Sequence, residues 1–159
     1  MAAEIFETKS FVCATPEDTF DVGEKVGESL RGGEMILLSG GLGAGKTLLT
    51  KGILYALEYD VDEVTSPSFS LVNLYKTEKF DVFHIDLWRL DEKINAAFAV
   101  GLPEILEDET AVTIIEWAER LQNFSFPENV FKINIEGDGD DRRAIKIERL
   151  KTRTETEIG

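Results

Sequence analysis

The sequence predicts a three-layer α/β protein. Its sheet is expected to be mostly parallel, with antiparallel strands at the edges, including a C-terminal hairpin. Three observations predict this. Met35 to Leu38 is short and wholly apolar, and Ala111 to Ile115 is another short run of the buried type, as expected of strands buried on both faces of a parallel sheet. Segments with helical spacing alternate with such strands. A glycine-rich loop separates the first apolar strand from the helix after it.

The elements follow in order. Ile5 to Val12 reads as a first strand. Thr15-Pro16-Glu17-Asp18 then starts a helix: threonine at the N-cap, proline in the first turn, acids facing the positive end of the dipole. Val22, Val26 and Leu30 give this helix an apolar stripe, and Arg31-Gly32-Gly33 closes it. Thr47 to Leu57 has helical spacing, with Leu48, Leu49, Ile53, Leu54 and Leu57. Phe69 to Tyr75 and Asp81 to Leu87 read as strands joined by the turn at Lys76 to Lys79. Asp91 to Val100 is expected to be helical and to stop at Gly101 and Pro103. Phe131 to Glu136 alternates, Gly137-Asp138-Gly139-Asp140 turns, and Ala144 to Leu150 returns as the second arm of the hairpin.

The bulk composition narrows the function classes. With 159 residues, 43% hydrophobic and 30% charged, the chain is of the globular class. Residues 1–150 are expected to form one domain and residues 151–159 a frayed polar tail. There are 17 basic and 31 acidic residues, a net charge of −14. Unaided nucleic-acid binding is driven by basic contacts to phosphate, so any RNA-linked role is expected to run through a partner protein. A lone cysteine, Cys13, and a lone histidine, His84, are too few for an internal disulfide or a zinc site. The N-terminal residues lack the apolar core of a signal peptide, and no run approaches the roughly 18 apolar residues of a membrane span. The expected location is cytoplasmic, without membrane attachment.

The loop carries the chemistry. Gly40-Gly41-Leu42-Gly43-Ala44-Gly45-Lys46-Thr47 fits G-x-x-x-x-G-K-[ST], the phosphate loop of P-loop NTPases. Successive backbone N–H groups must point inward at phosphate oxygens, and side chains would obstruct that approach. The helix that follows offers its unpaired N–H groups and positive dipole end to the same anion. Lys46 can reach the β- and γ-phosphates, and the Thr47 hydroxyl can ligate Mg²⁺. Leu38-Ser39-Gly40-Gly41 imitates the LSGG element of transporter ATPases, but it overlaps the phosphate loop itself, so it is an accident of composition.

A Mg-nucleotide site also needs an acid at the end of a neighbouring apolar strand. Val82 to Asp86 ends in one such acid, and Val112 to Glu116 in another. One of Asp86 and Glu116 would hold the metal and the other would orient or deprotonate the attacking water. The hydroxyls of Thr65-Ser66-Pro67-Ser68 could sense the metal or the γ-phosphate, although Ser-Pro is also an ordinary turn pair. His84 should share a strand face with Asp86, and a lone strand histidine is more often structural. Trp88 and Trp117, one or two residues beyond the acids, read most simply as core. No N-K-x-D guanine-reading element occurs, which favours ATP.

Taken together, GGLGAGKT, TSPSFSLVNLY, FHIDLWRL and IIEW closely resemble the bacterial TsaE (formerly YjeE) family over roughly residues 15–120. The resemblance implies an ATPase of tRNA threonylcarbamoyladenosine synthesis, acting on tRNAs that read codons beginning with A. It implies two protein partners, a TsaD-like transferase and its TsaB-like paralogue, which ATP turnover would reset between cycles. The chain alone would be a monomer and would meet tRNA only indirectly. Carried over by position, Gly43 to Leu48 hold phosphates, Thr47 and Glu116 are metal ligands, and Asp86 is an acid needed for turnover. Ser66 and Ser68 fall in the switch-like segment, and the base is expected near Thr15 and Pro16. This chain departs from the family's usual GDLGAGKT at Gly41, and Ser68-Phe69 stand where Thr-Tyr is common.

Two other function classes remain open at this stage. A small-molecule kinase would clamp the transferred phosphate under an arginine-bearing lid, and Arg142-Arg143, the only arginine pair, lies in the expected hairpin instead. A non-catalytic switch would reshape a partner surface on nucleotide binding without hydrolysis. The absence of an obvious arginine finger implies weak turnover by the isolated ATPase.

Overall fold

The computed structural model describes residues 3–41, 43–67, 70–91, 93–121 and 129–152. Leu42 and Ser68, both expected at the site, lie outside the described residues, as does residue 69 at the expected start of a strand.

Strands β1 (Ala3–Cys13), β2 (Met35–Ser39), β3 (Val72–Lys76), β4 (Asp81–Asp86), β5 (Val112–Glu116), β6 (Asn129–Glu136) and β7 (Arg143–Thr152) form one sheet in the order β1-β7-β6-β2-β5-β4-β3. The central strands β6, β2, β5 and β4 run parallel. Both edges are antiparallel: β3 on β4, and β7 and β1 beyond β6. The mixed α/β sheet with its C-terminal hairpin is therefore the one the sequence predicts.

Strand β2 explains the layering. Alternate side chains point to opposite faces. Ile36 and Leu38 enter one core with Val112 and Ile114, while Met35 and Leu37 enter a second core with Ile85 and Ile115. Helices α1 (Pro16–Ser29) and α2 (Lys46–Ala56) cover the first core through Val22, Val26, Leu49 and Ile53. They approach closely. A Cβ on Gly52 would lie 2.1 Å from the Phe20 carbonyl oxygen, and one on Gly23 would lie 2.1 Å from that of Leu49. Thr15 caps α1 in a capping box: its hydroxyl accepts from the Asp18 amide, and the Asp18 carboxylate accepts from the Thr15 amide.

The second face is covered differently from the expectation. No helix runs from Asp91 to Val100. Two single turns occur instead, α3 (Ala96–Ala99) and α4 (Leu102–Ile105). The Asp91 carboxylate accepts the Lys93 amide and its carbonyl accepts that of Ile94, closing a local turn. Asn95 then caps the Phe98 amide. Such side-chain bonds compete with helix propagation. Pro103, expected as a stop, sits in the first turn of α4, where a missing N–H costs nothing. Strand β3 begins only at Val72, because Leu71 has φ 67° and its amide closes a turn on the Pro67 carbonyl.

Candidate functional site

Parity along the strands brings the acids together. His84 and Asp86 lie on the same face of β4 as Val82, and Glu116 on the same face of β5 as Val112 and Ile114. That face carries α2. Asp86 and Glu116 are register partners at the carboxyl ends of adjacent parallel strands, where open α/β sheets bind ligands. Both are buried, 5% and 3% exposed, and Lys46 stands near them at the start of α2.

The loop from β2 into α2 has the backbone its glycines permit. Gly40 has φ 149° and a Cβ there would lie 2.5 Å from the Ile135 carbonyl oxygen. Gly45, the residue before α2, is left-handed with φ 112°. The Ala44 amide bonds the Gly41 carbonyl, folding the loop over the helix start, whose first amides lack intrahelical acceptors. Gly41 differs from its neighbours: a Cβ would meet nothing within 4 Å.

Lys46 is 7% exposed and its Nζ donates to the carbonyls of Gly40 at 2.8 Å and Gly41 at 2.9 Å. The ammonium also lies 4.8 Å from the centre of the Trp117 ring. Burial pushes its pKa below the ordinary lysine value, against the opposing pull of Glu116, Asp86 and Glu119. Asp86 accepts from the Ser66 hydroxyl at 3.2 Å and from the Trp88 amide at 2.9 Å. Glu116 meets His84 Nε2 at 2.6 Å.

These groups surround a cavity of about 470 Å³ lined by Lys46, Thr47, Ser66, Asp86, Glu116 and Trp117. A second cavity of about 280 Å³ lies on the other side of the loop, lined by Thr15, Pro16, Asp140, Asp141 and Arg143. Gly43, Gly45 and Leu48 line both, so the two form one trough crossing the start of α2. The trough brings loop amides, a lysine and two carboxylates together, groups suited to a phosphate chain with a hard cation. The oxygens of Thr47, Asp86 and Glu116 fit Mg²⁺, which takes one or two carboxylates plus substrate phosphates rather than an all-protein cage. Among the described residues no group of three or more His, Cys, Asp or Glu forms such a cage.

Several residues were missed or misread from sequence. Trp88 and Trp117 stack with ring centres 4.4 Å apart, and both line the first cavity. Trp117 touches the second core, but Trp88 is not core. Arg89, exposed, also lines this cavity, so an arginine stands at the site where none was expected. Arg143 reaches from the hairpin to the loop. Its Nε donates to the Ala44 carbonyl at 2.9 Å and its Nη2 to those of Gly43 at 3.3 Å and Gly139 at 3.0 Å. Only tertiary structure joins residues a hundred positions apart. For Trp88 and Arg89, adjacency to the Asp86 strand end was the available signal.

A central parallel sheet with a glycine loop at the end of β2, leading into a helix that opens on Lys46-Thr47, defines a P-loop-type protein. The family described as Threonylcarbamoyl adenosine biosynthesis protein TsaE matches residues 13–145. The chain belongs to this TsaE family, which functions in tRNA threonylcarbamoyladenosine biosynthesis. It is 35% identical over 128 residues to the tRNA threonylcarbamoyladenosine biosynthesis protein TsaE of Mycobacterium leprae, covering 76% of this chain and 78% of that one. It is 36% identical over 113 residues to the Aquifex aeolicus protein of the same name, covering 70% and 78%. The crystal structure of Bacillus subtilis YdiB superposes with a TM-score of 0.70 at 26% identity, covering 96% of this chain and 90% of that one.

Proposed function

We propose that this chain binds MgATP along the trough and hydrolyses it to ADP and phosphate. It does so in the cytoplasm, docked on a TsaD-like transferase and a TsaB-like paralogue, and turnover resets that pair between rounds of threonylcarbamoyl transfer to tRNA. The convergence of Lys46 and Thr47 with Asp86 and Glu116 around one cavity carries this reading.

The amides of Gly43 to Leu48 hold the phosphates, with Gly40, Gly41 and Leu42 shaping the approach. Lys46 turns its ammonium from the Gly40 and Gly41 carbonyls to the β- and γ-phosphates. The base rests in the cavity beside Thr15 and Pro16. Thr47, Glu116 and Asp86 are the oxygens that would hold Mg²⁺, which when bound supplies positive charge to the phosphate oxygens. Asp86 accepts from Ser66 and the Trp88 amide, which fix its carboxylate, and in this reading it would orient the attacking water. Ser66, and Ser68 beside it in sequence, supply the hydroxyls of the switch-like segment. Arg143 is committed to main-chain carbonyls, and Arg89, the arginine at the cavity, is an exposed side chain, so turnover by the isolated chain is expected to be slow and to rise when a partner covers the site.

The test uses purified chain with and without the two partners. Lys46→Ala should weaken ATP binding by about tenfold or more in calorimetry, as loss of a charge-assisted contact does. Asp86→Asn should keep Mg-free ATP binding but lose phosphate release and reconstituted tRNA modification. Modification that persists in Asp86→Asn without hydrolysis would make the protein a switch, and a phosphorylated metabolite in place of free phosphate would make it a kinase.

A further inference from the structure

The buried imidazole of His84 touches Glu116 but has no part in the site as described so far. Both ring nitrogens meet polar atoms. Nε2 lies 2.6 Å from Glu116 Oε2, and Nδ1 lies 3.4 Å from the Tyr75 hydroxyl. His84 is 0% and Tyr75 3% exposed. The Tyr75 hydroxyl in turn donates to the Thr65 carbonyl at 3.0 Å, and accepts from the Thr65 amide at 3.3 Å and the Asn73 side chain at 3.2 Å.

Donor and acceptor counting orders this chain. A Glu116 carboxylate only accepts, so Nε2 carries the hydrogen between them, and in the neutral ring Nδ1 is then an acceptor. The Tyr75 hydroxyl has one proton and two acceptors in reach, the Thr65 carbonyl and His84 Nδ1. Thr65 therefore competes with His84 for that proton. Thr65 is next to Ser66, whose hydroxyl bonds Asp86. One short segment is thus connected to both acids, to Asp86 directly and to Glu116 through Tyr75 and His84.

We propose that His84 and Tyr75 are positioning residues: His84 fixes the Glu116 carboxylate for the metal, and Tyr75 makes that orientation depend on where the Thr65–Ser66 segment lies. The proposal rests on the reading of Glu116 as a Mg²⁺ ligand. By engaging Oε2, His84 holds the carboxylate in one rotamer and leaves Oε1 for the cavity. Partners of this kind behind a ligand typically change metal affinity ten- to a hundredfold when removed. A histidine that only fills the core would not.

Calorimetric titration of ATP into the full chain, across a Mg²⁺ series, tests this. His84→Leu should raise the Mg²⁺ concentration at half-effect by about tenfold or more, while Mg-free ATP affinity stays within about twofold. His84→Gln, which keeps an N–H for Glu116, should recover most of the shift. Tyr75→Phe should raise the midpoint less, and should add nothing in the His84→Leu background, since both act through one contact. Circular dichroism and melting establish that each variant is folded. A folded His84→Leu with an unchanged Mg²⁺ midpoint, no recovery in His84→Gln, or additive effects of the two substitutions would overturn the proposal. If His84→Leu does not fold, Tyr75→Phe decides: an unchanged midpoint overturns it, a raised one supports it. Loss of Mg-free ATP binding in the wild-type chain would instead remove the nucleotide reading itself.

Discussion

At residue scale, neighbouring glycines of the phosphate loop have unequal reasons to be glycine. Gly40 combines a left-handed φ with a main-chain oxygen 2.5 Å from any Cβ. Gly41 has neither constraint, because its Cβ direction is open. The family's usual aspartate at this position is therefore excluded here by nothing steric. Gly41→Asp should leave chemical-denaturant stability within about 0.5 kcal/mol of wild type. Gly40→Ala should cost about 1–3 kcal/mol, from overpacking and backbone strain, and weaken ATP binding with it. Equal stability of the two variants would contradict the loop conformation described. The same scale sets what could be read in advance. Gly40 to Thr47 is a local pattern, so its spacing was legible. Asp86 and Glu116 were legible because each ends an apolar strand. The contact of His84 with Glu116 was not, because the two are 32 residues apart on different strands.

At the scale of elements, the β6–β7 hairpin does more than end the sheet. Its turn, Gly139 to Asp141, lines the second cavity, and Arg143 at the start of β7 joins that turn to the loop. The hairpin itself was legible from alternation and its glycine turn, but its contact with a loop on another strand was not. The two short turns α3 and α4 failed for the opposite reason. Helical spacing was present, yet Asp91 and Asn95 satisfied the backbone locally before a helix could form. Arg143→Ala removes hydrogen bonds from a charged donor to the Ala44 and Gly43 carbonyls. Gly43 is exposed, so water recovers part of the loss there, whereas Ala44 is buried. The expected effect is about 1 kcal/mol, a roughly fivefold weaker ATP affinity, with Arg143→Lys in between. Calorimetry measures it, and an unchanged affinity would show the brace to be incidental.

At the scale of the whole molecule, charge separates the site from the surface. The loop concentrates amides and Lys46 where an anion belongs, yet the chain as a whole carries a net charge of −14. A polyanion approaching from solution meets that field before any specific contact. Tight binding of bare tRNA draws on several basic contacts to phosphate and falls steeply with salt. Under the proposed function ATP would differ, because its phosphates would enter a short trough lined by amides and Lys46 and its magnesium would remove part of its charge. The chain alone should therefore show no saturable tRNA binding in filter or mobility-shift assays at about 0.15 M salt, where screening beyond about 8 Å is already strong. MgATP at about a hundred times its dissociation constant should meanwhile stabilise the fold by about 2.7 kcal/mol, read as a higher melting temperature. At about tenfold weaker affinity the Lys46→Ala chain should lose about half of that increase, and more if the loss of affinity is larger. Partner proteins with basic surfaces should bring tRNA into the assembly without altering this chain's own nucleotide affinity for want of charge. Salt-sensitive, saturable tRNA capture by the isolated chain would mean that a local basic track outweighs the acidic surface, and the indirect route to tRNA would have to be abandoned.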